Sequence, residues 1–210
     1  MPIALPPASL DGLPRDALLA MRDAGDALLA CYRDLDARDA HLAGELIGDG
    51  AFEEERHYPP DEVRDPGSGA QYYFHAHLAG ELGHFHTYAR AAPVGEPAHL
   101  VGVSVDERGL PTRLFVTDLW ATEGRWCAAA DLPAMLARFT FDEASPFVAS
   151  RALPALLALF RPEVGALFDA RGEARRADPA PSAARVLAEV AVSIDARRAA
   201  LDEALARGGP

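Results

Sequence analysis

The chain has 210 residues, half of them hydrophobic, with 32 acidic and 20 basic side chains and a formal charge of −12. That length and apolar fraction suit one substantial folded unit, and the acidic balance argues against a nucleic-acid partner, whose backbone selects clustered positive charge. No stretch approaches the roughly 20 apolar residues that span a bilayer, so no membrane association is expected.

The first residues are apolar, but they lack a basic start and run into Asp11, which is unlike a signal peptide. Cys31 and Cys127 lie far apart, and neither has a histidine at motif spacing, which fits a reduced, cytoplasmic protein. A first helix is expected from Leu13-Pro14, capped by Asp11. Its apolar stripe is Leu18, Met21, Gly25, Leu28, Tyr32 and Leu35. Leu42, Leu46 and Ile47 extend it or begin a second helix, in which His41 reads as a packing or surface residue. Residues 52–69 read as an acidic, proline-containing loop that covers the next strand's face and brings His57, Tyr58, Asp61 and Asp65 beside it.

Residues 72–90, YYFHAHLAGELGHFHTYAR, hold four of the seven histidines. Aromatic and β-branched residues recur over 72–77 and 83–90, which predicts two strands. Alternation places Tyr73, His75 and His77 on one face of the first and His84, His86, Tyr88 and Arg90 on one face of the second. A hairpin pairing His77 with His84 also pairs His75 with His86, Tyr73 with Tyr88, and Gln71 with Arg90. Opposed Cβ atoms are then about 5 Å apart. Four imidazoles so placed can converge on a divalent transition metal, with Fe, Zn, Ni, Co or Cu all suited to imidazole nitrogen. Glu81, in the connecting turn, is the expected oxygen ligand. Tyr73 and Tyr88 are expected to line a pocket, with Arg90 fixing an anionic substrate and His57 close by. The leading reading is a metal-dependent oxygenase, isomerase or hydrolase acting on a small organic, anionic substrate. The alternatives are a non-catalytic metal-binding or sensing protein and a histidine-lined pocket for a small-molecule ligand without metal.

The run Gly69, His75, His77 and Glu81 resembles the first motif of the cupin superfamily, in which two histidines and a glutamate hold a divalent metal. Pro93, Gly95 and His99 resemble the second motif, whose histidine completes that site. The resemblance implies a metal ligand set of His75, His77, Glu81 and His99; the family's barrel needs about eight strands, and this sequence offers about four, so the match bears on the ligand types more than on the fold. The sequence as a whole is similar to an uncharacterised bacterial family that carries the same histidine-rich segment, which implies no activity.

Two further strands are expected, over 99–106 and 112–120. On the third strand His99 points away from the site unless a bulge or the strand end redirects it, and Gly102 leaves room near the metal. Asp118 and Trp120 share a parity at the sheet's opposite edge. Helices follow around Met135, Leu136 and Phe139 and around Leu153, Leu156, Leu157 and Phe160, with Pro162 interrupting the second. A linker over 172–181 leads to a last helix capped by Ser182 and faced by Leu187, Val190, Ile194, Leu201 and Leu205. The expected fold is α+β: an antiparallel sheet of about four strands, flanked by N- and C-terminal helices on the face opposite the histidines. Residues 1–172 form the α+β domain. Residues 173–210 supply the linker and a C-terminal helix that packs on the same domain or on a second copy in a homodimer.

Overall fold

The computed structural model describes residues 1–77, 81–92, 94–118, 128–178 and 185–207. Its strands are β1 (Ile3–Leu5), β2 (Tyr58–Arg64), β3 (Gln71–His75), β4 (Gly83–Ala89), β5 (Ala98–Val105), β6 (Pro111–Thr117) and β7 (Val186–Ala191). Its α-helices are α1 (Arg15–Asp36), α2 (Leu42–Ile47), α3 (Leu132–Arg138), α4 (Ala149–Leu159), α5 (Arg161–Ala177) and α6 (Ile194–Arg207). The fold is therefore α+β as expected, but among the described residues the sheet has seven strands rather than about four, in the order β1-β7-β6-β5-β4-β3-β2. Among the described strands β1 and β7 run parallel and the other neighbouring pairs are antiparallel.

Three strands escaped the sequence reading for identifiable reasons. Within β2, Pro59 and Pro60 suggest a loop, yet at the end of the sheet proline is tolerated because one side of the strand forms no ladder. Strand β1 is too short to show a period. Over residues 186–191, Leu187 and Val190 also fit a helical stripe, but the chain pairs between β6 and β1 instead. The helix begins only at Ile194, and the expected linker from residue 173 is the end of α5. Ser182, its expected cap, lies outside the described residues, as do Trp120, Cys127 and Pro93.

The α1 stripe is buried at Leu18, Met21, Gly25, Leu28, Cys31 and Leu35, while Tyr32 donates its hydroxyl to the Gly109 carbonyl at 3.1 Å. Asp11 does not cap this helix; it bonds to Ser9, and Pro14 stands at the helix start. Helix α1 packs against α4 and α6, and α5 against β6 and β7. The Tyr72 hydroxyl meets Ser150 of α4 at 2.8 Å, and Phe74, Phe85 and Thr87, on the same side of the sheet as Tyr72, are fully buried. This side meets the helices, so the histidines occupy the other face. Pro162 separates α4 from α5 at the first turn of the latter, where a missing N–H does no harm.

The hairpin register is His75↔His84, Tyr73↔His86 and Gln71↔Tyr88, two residues displaced from the expected pairing. A slip of two preserves parity, so every side chain stays on the face that alternation assigned it.

Candidate metal centre

The histidines of the hairpin form one cluster. One ring nitrogen from each of His75, His77, His84 and His86 lies within 4.8 Å of the corresponding nitrogen of the other three. Neighbouring rings have centroids 4.5 Å (His75 and His84), 4.7 Å (His75 and His77) and 4.9 Å (His84 and His86) apart, at interplanar angles of 75–84°. Near-perpendicular rings direct edges rather than faces at a shared point, which suits ligation. Tetrahedral coordination at about 2.0–2.1 Å sets nitrogens about 3.3 Å apart, so an ion would draw the rings inward by about an ångström.

Burial and protonation suit that role. His84, His86 and His75 are 0, 3 and 8 % exposed. Burial, reinforced by the charges of His84, His77 and His57, lowers the His75 pKa to about 3. Burial also holds His84, His86 and His99 below the ordinary histidine value, and Glu81 only partly opposes this at His84. His75, His84, His86 and His99 are therefore neutral at pH 7, the state a metal requires of an imidazole.

Glu81 does not join the four nitrogens. One of its oxygens accepts a hydrogen bond from His84 Nδ1 and the other pairs with Arg113 at 2.9 Å, with the carboxylate only 4 % exposed. The expected ligand is thus already engaged. Burial pushes the Glu81 pKa up, but hydrogen bonds from His84 and Ser104 and the Arg113 charge outweigh it and hold the group ionised. An ionised carboxylate only accepts, so the His84 proton sits on Nδ1 and its Nε2 offers a lone pair. Among the described residues that buried Nε2 has no hydrogen-bond partner, and neither has Nε2 of His75. Arg113 also pairs with Glu189 at 2.8 Å, which links the cluster to β7.

His99 reaches the site through a bulge, one of the two routes the sequence allowed. Between His86↔Gly102 and Tyr88↔His99 the β5 side advances one residue more than β4, and this bulge turns His99 onto the histidine face. Its Nε2 lies 2.9 Å from His86 Nδ1, so it supports His86 and stands outside the group of four. The β2 segment likewise brings His57 in: its ring stacks on Tyr73 at 3.8 Å, stands edge-on to His75 at 5.3 Å, and is tied by Nδ1 to Glu62 at 3.1 Å. Tyr73 and Tyr88 border the cluster, their hydroxyls 3.1 Å apart, with Tyr73 5.3 Å from His86 and Tyr88 5.3 Å from His99.

Arg90 does not face an open pocket. Its side chain donates to the carbonyls of Gly95 at 2.9 Å and Gly69 at 2.7 Å and to Gln71 Oε1 at 2.6 Å, and the residue is 5 % exposed. A guanidinium with each of its three nitrogens donating to a protein acceptor braces two loops. Asp65 is similarly structural, accepting from the Ser68 and Asp142 amides, and His41 caps α2 through the Gly44 amide. Asp118 is buried after β6, with β7 and β1 beyond it, so it does not stand at a sheet edge.

The sequence reading missed Arg113 and Phe115. Both share the face of Gly102 and Ser104 through the pairs Gly102↔Phe115 and Ser104↔Arg113. The room that Gly102 leaves is filled by the Phe115 ring, which would collide with any Cβ there and stands 5.2 Å from His84 and 5.9 Å from His86. Alternation in β6 was the available signal; the partner strand was not.

No curated protein and no solved structure matches the chain. The resemblance to cupins is overturned by the fold, because among the described residues nothing pairs β1 with β2 and the sheet does not close into a barrel. A family model described as a domain of unknown function, DUF6969, matches residues 22–198, so the chain belongs to that family.

Proposed function

We propose that this protein binds one divalent transition metal through His75, His77, His84 and His86. The observation that carries the proposal is the pair of buried, partnerless Nε2 atoms on His75 and His84 inside the four-histidine cluster. A buried polar atom left unsatisfied costs about 1–3 kcal/mol, and two at one point favour a site shaped for an occupant. Glu81, holding His84 by Nδ1, supplies the outer carboxylate that commonly orients a metal-bound histidine, and His99 does the same for His86. An all-imidazole donor set suits Zn, Cu, Ni, Co or Fe rather than Mg or Ca.

Metal binding or sensing is a better account than catalysis. Arg90, the expected anchor for an anionic substrate, is committed to Gly69, Gln71 and Gly95. Among the described residues no helix is long and apolar enough to cross a membrane. The proposal is tested by isothermal titration of metal-free protein with Zn(II) and Co(II), read alongside elemental analysis of protein purified without chelator. One ion per chain is expected, lost when His84 is replaced by Gln. Wild-type protein that carries none of the five metals as purified and takes up neither Zn(II) nor Co(II) would refute it.

A further inference from the structure

The four ligand candidates are not held alike. His84 is fixed through Nδ1 by Glu81, and His86 through Nδ1 by His99. His75 is packed between His57, Tyr73 and His84 and is 8 % exposed. His77 differs in three respects. It lies beyond the last ladder pair, His75↔His84, and therefore outside β3. It is exposed, where the other three are buried. Among the described residues no hydrogen bond fixes its ring, which touches only the edges of His75 at 4.7 Å and His84 at 4.9 Å.

We infer that His77 is the exchangeable ligand of the metal: His75, His84 and His86 retain the ion, while the position that His77 fills is the one through which metal enters and an outside nitrogen donor binds. This rests on the metal reading above. Rotating His84 or His86 away from an ion breaks a buried hydrogen bond and opens space in a packed sheet face. Rotating His77 breaks only its bond to the metal and moves the ring into water. Ligand loss therefore begins at His77. The vacated position faces solvent, and its class of incoming ligand follows from the remaining donors: a neutral imidazole-type nitrogen replaces the lost imidazole with no change in charge or oxidation state. Such a position allows a metal-binding protein to receive and surrender its ion by ligand exchange, as a partner's histidine replaces His77.

The test uses full-length protein loaded with Co(II), whose visible spectrum reports its ligand set, and imidazole as the probe. His77→Ala is expected to keep one Co(II) per chain but to release it to a chelator at least about tenfold faster than wild type, the lower end of what losing even a supporting residue does at such sites. Added imidazole is expected to shift the His77→Ala spectrum toward that of wild type and slow the release again. It should leave the wild-type spectrum unchanged. His75→Ala and His84→Gln, with folding checked by circular dichroism, are expected to lose the stoichiometric ion with no recovery in imidazole. If His77→Ala binds no Co(II) and imidazole does not restore it, or if it releases Co(II) at the wild-type rate, His77 is not the exchangeable ligand although the metal site stands. If wild-type protein binds neither Co(II) nor Zn(II) and carries none of the five metals as purified, the metal reading fails first.

Discussion

Replacing Glu81 by Gln separates a direct ligand from a residue that aims one. The carboxylate is 4 % exposed and joins His84, which is fully buried, to Arg113. The amide in Glu81→Gln can still accept from His84 Nδ1, but it carries no charge, so His84 becomes a weaker donor to the metal and Arg113 keeps Glu189 and the Ser104 hydroxyl. Loss of such an outer partner lowers metal affinity about 10- to 100-fold, equivalent to about 1.4–2.7 kcal/mol. Ala at the same position also strands a buried N–H on His84 and removes about a further 1–3 kcal/mol of stability without metal. Affinity is read by competition with a chromophoric chelator, stability by urea unfolding, and the ligand shell by X-ray absorption of the Zn-loaded proteins. The expected pattern is a weakened site with an unchanged imidazole shell. An absorption spectrum that loses an oxygen ligand in the Gln variant would make Glu81 a direct ligand, and unchanged affinity in both variants would refute the orienting role.

Arg90→Ala is expected to keep its full metal stoichiometry while losing about 3–5 kcal/mol of folding stability, because three acceptors lose a charged donor at once; a thermal midpoint within experimental error of wild type would return Arg90 to the pool of ligand-binding candidates. Gly102→Ala drives a methyl into Phe115 and should destabilise by about 1–3 kcal/mol, or about 2–4 °C per kcal/mol in the melting curve, with the histidine face perturbed as well. The buried histidines also set a pH dependence. Their folded pKa values lie below the ordinary 6.5, so below that pH the unfolded chain binds more protons than the folded one. Stability of the metal-free protein should be insensitive to these groups above pH 6.5 and should fall toward pH 3, by up to about 1.4 kcal/mol per pH unit for each histidine still neutral when folded. His99→Gln should flatten that slope by as much as one proton in urea titrations repeated across the range, and an unaltered slope would count against a buried neutral His99.

Side-chain parity is what the sequence determined by itself. Alternation through YYFH and GHFH assigns His75, His84 and His86 to one face in any register that keeps the odd and even positions apart, which is why a two-residue slip left the cluster intact. The α1 stripe and the break at Pro162 were legible for the same kind of reason, since each depends on neighbours within a few positions. The remaining features depend on partners distant in the chain. The β5 bulge that turns His99 inward exists only in pairing with β4, and the placing of Arg113 and Phe115 beside the histidines only in pairing with β5. Residues 186–191 suit either helix or strand locally and became β7 because β6 and β1 offered backbone donors and acceptors on both sides. The outward parity of Arg90 in its strand suggested a substrate contact. Tertiary structure decided otherwise, because a buried guanidinium must satisfy its donors, and the carbonyls of Gly69 and Gly95 lie within reach of it.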